Sequence, residues 1–207
     1  MSDGDARPAG GTVSGVPDWD DEYIDRVSDR LMYSYDLEKD RRVNGERFGL
    51  YGRLEVENHK QFLHPSISYG HHEKVGHLFV RRADGVTAAD LDRLADLGET
   101  LAEEWIDPDE RHYETEFVFA LVVPEIPEEV GERVVDLESR TLLSYGYHGH
   151  YWLRFVVVSP ENETVVASPG ADVAAAFRLW SEGGEKGDGE SGVLGRFRSL
   201  LGFSRRS

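Results

Sequence analysis

The stretch His112–Val123 narrows the folds open to this chain more than any other. As a strand it puts Tyr113, Thr115, Phe117, Phe119 and Leu121 on one face. The other face opens polar with His112, Glu114 and Glu116, then closes apolar with Val118, Ala120 and Val122. A strand apolar on both sides at one end is buried on both sides there. The rest of the chain must supply the cover.

Helical spacing supplies part of it. Trp19, Tyr23, Ile24, Val27, Leu31 and Tyr35 predict an amphipathic helix over 18–36, capped by Asp18, with acids crowding its first turns. Thr87 caps a second helix, with Asp90 at the capping-box position and a stripe of Leu91, Leu94, Leu97, Leu101 and Trp105. A third runs from Pro127 to about Glu138. Ser168-Pro169 opens a last helix through Val173, Phe177 and Trp180.

Between them lie the strands. Glu46–Glu57 alternates, with Phe48, Leu50, Leu54 and Val56 on one face and Arg47, Tyr51, Arg53 and Glu55 on the other. Ser66–Tyr69 and Gly76–Arg82 read as two more, around a His-rich stretch. Thr141–Ser159 is strand-like with a break at Gly149, and Glu163–Ala167 pairs with it across a Ser-Pro-Glu-Asn turn. The order is αββ(β)αβαββα. Short connections between neighbours favour antiparallel pairing. The expectation is one α+β domain at 18–181, with a mainly antiparallel sheet packed by helices.

Charge bounds the setting. The net charge is −17, from 40 acidic and 23 basic residues, and the basic residues are 19 Arg against four Lys. Self-repulsion on this scale is tolerable where salt screens it, since the Debye length is roughly 3 Å at 1 M. Acid excess with few lysines reads as adaptation to high internal salt. The acidic body would repel phosphates, so nucleic acid is excluded as its partner. The chain has no cysteine, which excludes disulfides and thiolate chemistry. No secretory h-region and no run of ~20 apolar residues occurs, so the expected location is cytoplasmic.

The helix sequence DWDDEYIDRVSDRLMYSYDLEKD and the closing ADVAAAFRLW resemble an uncharacterised domain family of halophilic archaea. The resemblance covers the domain and not its two ends. It implies no activity and no catalytic residues.

The ends read differently. Residues 1–17 have almost nothing to bury and read as disordered. Residues 182–191 form a Gly-rich linker. Residues 192–207 reverse the charge, with four Arg and no acid. On a helical wheel Val193, Leu194, Phe197, Leu200 and Leu201 share one face, flanked by Arg196 and Arg198. At ~20 Å this helix is too short to span a bilayer and suits its interface, or a groove on a protein, including the chain's own acidic body. A peripheral place at the inner membrane surface follows from the first option and an unnamed protein partner from the second.

Two functional classes remain. One is a non-enzymatic interaction domain with a C-terminal amphipathic tether and no cofactor. The alternative is a His-dependent metalloprotein or metalloenzyme. His148 and His150 flank Gly149; on a strand both imidazoles would share a face, about 7 Å apart. With His77 or His112 from neighbouring strands they would make a Zn site. No HExxH, P-loop or nucleophile elbow accompanies them.

Overall fold

The computed structural model of the chain describes residues 17–59, 71–107, 112–137, 139–143 and 149–180. They run α1 (Glu22–Leu31), β1 (Asp36–Val43), β2 (Glu46–His59), β3 (His71–Arg82), α2 (Ala88–Trp105), β4 (His112–Val122), α3 (Glu128–Asp136), β5 (Ser139–Leu142), β6 (His150–Ser159), β7 (Thr164–Ala167) and a 3-10 segment at Asp172–Phe177. The strands form one sheet in the order β1-β2-β3-β4-β6-β5, with β7 also on β6. This is the expected α+β domain.

Four of the six strand pairings are antiparallel. The two central ones, β3–β4 and β4–β6, are parallel. The reason is that α2 and α3 act as crossovers. Successive right-handed crossovers moving the same way across a sheet leave both helices on one face. On that face Phe48, Phe79, Phe117, Phe119, Leu153 and Phe155 pack under Leu91, Leu94, Leu101, Val130 and Val134. The opposite face packs Leu50, Leu78, Val118, Ala120 and Val156 under Ile24, Val27 and Leu31 of α1 and Phe177 of the 3-10 segment. The prediction for β4 therefore holds: its far end is buried on both sides.

Several boundaries differ from expectation. The first helix stops at Leu31, and its cap is Asp21, not Asp18. The Asp21 carboxylate accepts from the amides of Tyr23 and Ile24 and from Arg82 at the end of β3. The Arg82 bond, ahead of the amides, holds its pKa below the ordinary carboxylate value. Residues 36–43, where the sequence reading assigned no element beyond the helix end at Asp36, are an edge strand. Its charged sequence hides it, because an edge strand facing water has little to bury. Asn44 and Gly45, at φ +47° and +88°, form the hairpin turn into β2.

Phe48 and Leu50 were placed on one face and lie on opposite ones. The ladder is irregular between them, where Asp40 of β1 takes φ +58° beside Gly49. The break expected at Gly149 is there, with β5 holding Ser139–Leu142 and β6 beginning at His150. The expected strand at Ser66–Tyr69 lies outside the described residues, as do 1–16 and 181–207. The last helix is a short 3-10 turn instead. Thr87 and Asp90 do form the predicted capping box.

One buried hydroxyl ties the layers together. Ser168 Oγ accepts from the Phe155 amide and lies 3.0 Å from the carbonyls of Val134 and Leu137. A single side chain thereby links β6 to the end of α3.

Candidate functional site

Two depressions flank α2 on the same face of the sheet. The first, about 400 Å³, lies over β1 and β2 and is lined by Asp36, Glu38, Arg41, Tyr51, Arg53 and Trp105. Arg41 sits 5.1 Å from the Tyr51 ring centre and 6.0 Å from that of Trp105. It also pairs with Glu38 at 2.8 Å, while Arg53 pairs with Glu55 at 2.7 Å. The cleft is thus balanced in charge and its cations are engaged.

Behind it lies His77. Its Nδ1 is 2.8 Å from the Tyr51 hydroxyl, and its ring stacks on Phe117 and meets Trp105 edge-on. Burial lowers the His77 pKa to about 4, helped by the charges of Arg53 and Arg41. Burial also raises the Tyr51 pKa. Both groups are therefore neutral at pH 7. A general base works best with a pKa near the operating pH, so this pair fits a dry structural hydrogen bond better than proton transfer.

The second depression, about 370 Å³, runs between α2 and α3. Leu153 and Phe155 of β6 form its floor, with Ala95 and Leu137 on its walls. Asp92, Asp96 and Glu99 line the α2 side at helical spacing and are exposed. Arg133 pairs with Asp92 at 2.6 Å. The groove is apolar below and acidic at its lip. Gly98 lets α2 sit close: a Cβ there would come within 2.6 Å of Leu153 Cδ2.

The other face of the sheet carries an ionic row below its aliphatic core. Glu114 pairs with Lys74 at 2.6 Å and with His150 Nε2 at 3.3 Å. Glu116 pairs with Arg154 at 2.8 Å, and that guanidinium lies 4.6 Å over Trp152. Burial still raises the Glu116 pKa against the pull of Arg154.

The histidines expected to meet are dispersed. His77 is in the aromatic core, and His150 is with Glu114 on the opposite face. His112 Nε2 is 2.9 Å from Thr115 Oγ1. His148 lies outside the described residues. Gly149 has φ +78°, and β6 begins at His150. Among the described residues no three His, Asp or Glu side chains are grouped to hold a metal ion. Val193, Leu194, Arg196, Phe197, Arg198, Leu200 and Leu201 also lie outside them. No helix among the described residues is long and apolar enough to cross a membrane.

The two depressions differ in how far sequence could have found them. The spacing of Asp92, Asp96 and Glu99 on the polar side of the Leu91–Leu101 stripe was a signal for the groove lip. Nothing in the sequence joined Trp105 to Arg41 and Tyr51, because β1 hides in its charges.

No curated protein and no solved structure matches the chain. A family model does match, over residues 20–179, the whole layered domain from the start of α1 to the end of the 3-10 segment. The chain belongs to the family described as Domain of unknown function (DUF8052).

Proposed function

We propose that this protein is a non-enzymatic interaction domain whose α2–α3 groove receives a basic amphipathic segment, the C-terminal residues 192–207 being one such segment. The observation that supports this is the groove itself: an apolar floor of Leu153 and Phe155 beneath the carboxylates of Asp92, Asp96 and Glu99. Residues 192–207 carry the complementary pattern, with Phe197 and Leu200 on one face and Arg196 and Arg198 beside them. The chain leaves the domain after Trp180, beside the core of the α1 face. A chain the length of 181–191 extends to about 36 Å at most, and to roughly 18 Å as a flexible coil.

The same segment makes the protein a tethered one. When its apolar face leaves the groove it becomes available to a protein partner or to the inner surface of a membrane. The setting that fits the composition is the salt-rich cytoplasm of a halophilic archaeon, where screening weakens the Arg contacts and leaves the apolar face to hold.

A peptide of residues 192–207, added to a chain truncated after Gly192, tests the reading. Saturable binding that drops at least tenfold in an Asp96→Lys, Glu99→Lys double variant is the expected result. Absence of binding at both low and high salt removes the proposal.

A further inference from the structure

We propose that Arg133 of α3 sets the affinity and specificity of the α2–α3 groove by competing, from within the chain, for a carboxylate that a basic occupant needs, Asp92 of α2. This rests on residues 192–207 being an occupant of the groove, and it identifies what decides how tightly they hold.

The bridge joins the two walls. Asp92 and Arg133 both line the groove, one from α2 and the other from α3. Arg133 donates twice to one oxygen of Asp92, with Nη2 at 2.6 Å and Nε at 3.0 Å from Oδ1. The partners are 41 positions apart in the chain, so no local spacing announces them. Asp92, Asp96 and Glu99 stand at i, i+4 and i+7 along α2, a row about 10 Å long. Like charges at this spacing repel one another. Arg133 relieves the repulsion at Asp92, and in doing so withdraws that carboxylate from an occupant.

The bridge is suited to exchange. Its two side chains are 41% and 53% exposed, and an ion pair held in water is weak. An incoming guanidinium offers Asp92 the same hydrogen-bonding fork that Arg133 gives it. The exchange itself is therefore close to neutral, and burial of the occupant's apolar stripe tips it. Residues 192–207 bring Phe197 and Leu200 for that purpose, and the half-buried Ala95 and Leu137 line the groove to meet them. A segment with arginine and no apolar stripe leaves the bridge in place. An apolar segment with no arginine has nothing to offer Asp92. The bridge thus selects occupants that carry both features.

The test reads docking of residues 192–207 in the full chain, as the rate of tryptic cleavage after Arg196 and Arg198 relative to a free peptide of residues 192–207. At about 0.3 M salt, Arg133→Gln should protect the tail about threefold more than the parent does, with circular dichroism unchanged. The gain should vanish on an Asp92→Asn background, which a merely structural role for Arg133 would not produce. At about 2 M salt it should shrink below about 1.5-fold, because screening weakens the bridge and its replacement alike. The proposal is overturned, with docking intact, if the parent tail is protected and Arg133→Gln protects it no further, or if the gain persists undiminished on the Asp92→Asn background. If the tails of the parent and of Arg133→Gln are both cleaved as fast as the free peptide, docking of the tail itself fails and the proposal falls with it.

Discussion

The two faces of the sheet bury comparable lengths of strand in opposite ways. On the α2 side the strands themselves carry the large rings. Phe79 and Phe119 stack at 5.2 Å, and Phe119 and Phe155 at 5.8 Å. On the α1 side the strands carry Leu78, Val80, Val118, Ala120 and Val156, and the cover brings the rings, with Trp19 and Phe177. A face roofed by two helices has depth for aromatic strand residues. A face roofed by one helix and a 3-10 turn is filled by branched strand residues and a few aromatics from above.

Histidine repeats the contrast. His77 is 8% exposed and His150 is 7% exposed, so burial alone does not distinguish them. His77 has a phenol and three aromatic rings for neighbours, while His150 has a carboxylate beside the rings of Tyr113 and Trp152.

The comparison can be broken first at Phe119, which is fully buried among three other rings. Phe119→Ala should cost about 3–5 kcal/mol in urea unfolding. Val156→Ala, on the other side, removes two carbon groups and should cost about 1.5–2 kcal/mol at ~0.8 each. Equal losses would show that the aromatic layer is not the heavier half of the core.

Next in size is Glu116→Ala. Glu116 and Arg154 have side chains 15% and 13% exposed, and removing the acid leaves a cation in poor solvent. The expected loss is about 3 kcal/mol. A double change to Glu116→Gln and Arg154→Met should recover most of it, and failure to recover would mean the ionic row holds more than its own pair.

The third test is acid titration. The folded His77 pKa of about 4 lies below its ordinary value of 6.5. As pH falls, the unfolded chain takes up the proton first. Stability is therefore complete above the unfolded value and is lost as pH falls toward the folded one. The whole loss is about 3 kcal/mol. His77→Gln should flatten stability over this window, and an unchanged slope would place the acid sensitivity elsewhere. The smallest effect is at the helix cap, where Thr87→Ala should cost about 1 kcal/mol, read as a shift in urea midpoint.

Legibility followed periodicity. The two-sided burial of β4, the Leu91–Leu101 stripe and the Thr87 cap were readable because each repeats a local rule over several residues. β1 was not, since DLEKDRRV has no apolar alternation and Asn44-Gly45 was its only strong local signal. Phe48 was misplaced because an irregularity at Gly49 resets alternation without leaving a mark in composition.

The sequence alone determined a single acidic α+β domain, a helix before the strands and a sheet with cover on both sides. Each of these is written within one element or in summed charge. Only the tertiary structure decided that the central strands run parallel and that His77 and His150 lie on opposite faces of the sheet. Those are matters of register and crossover. They are set by long-range packing, where the covering of both faces outweighs any local preference.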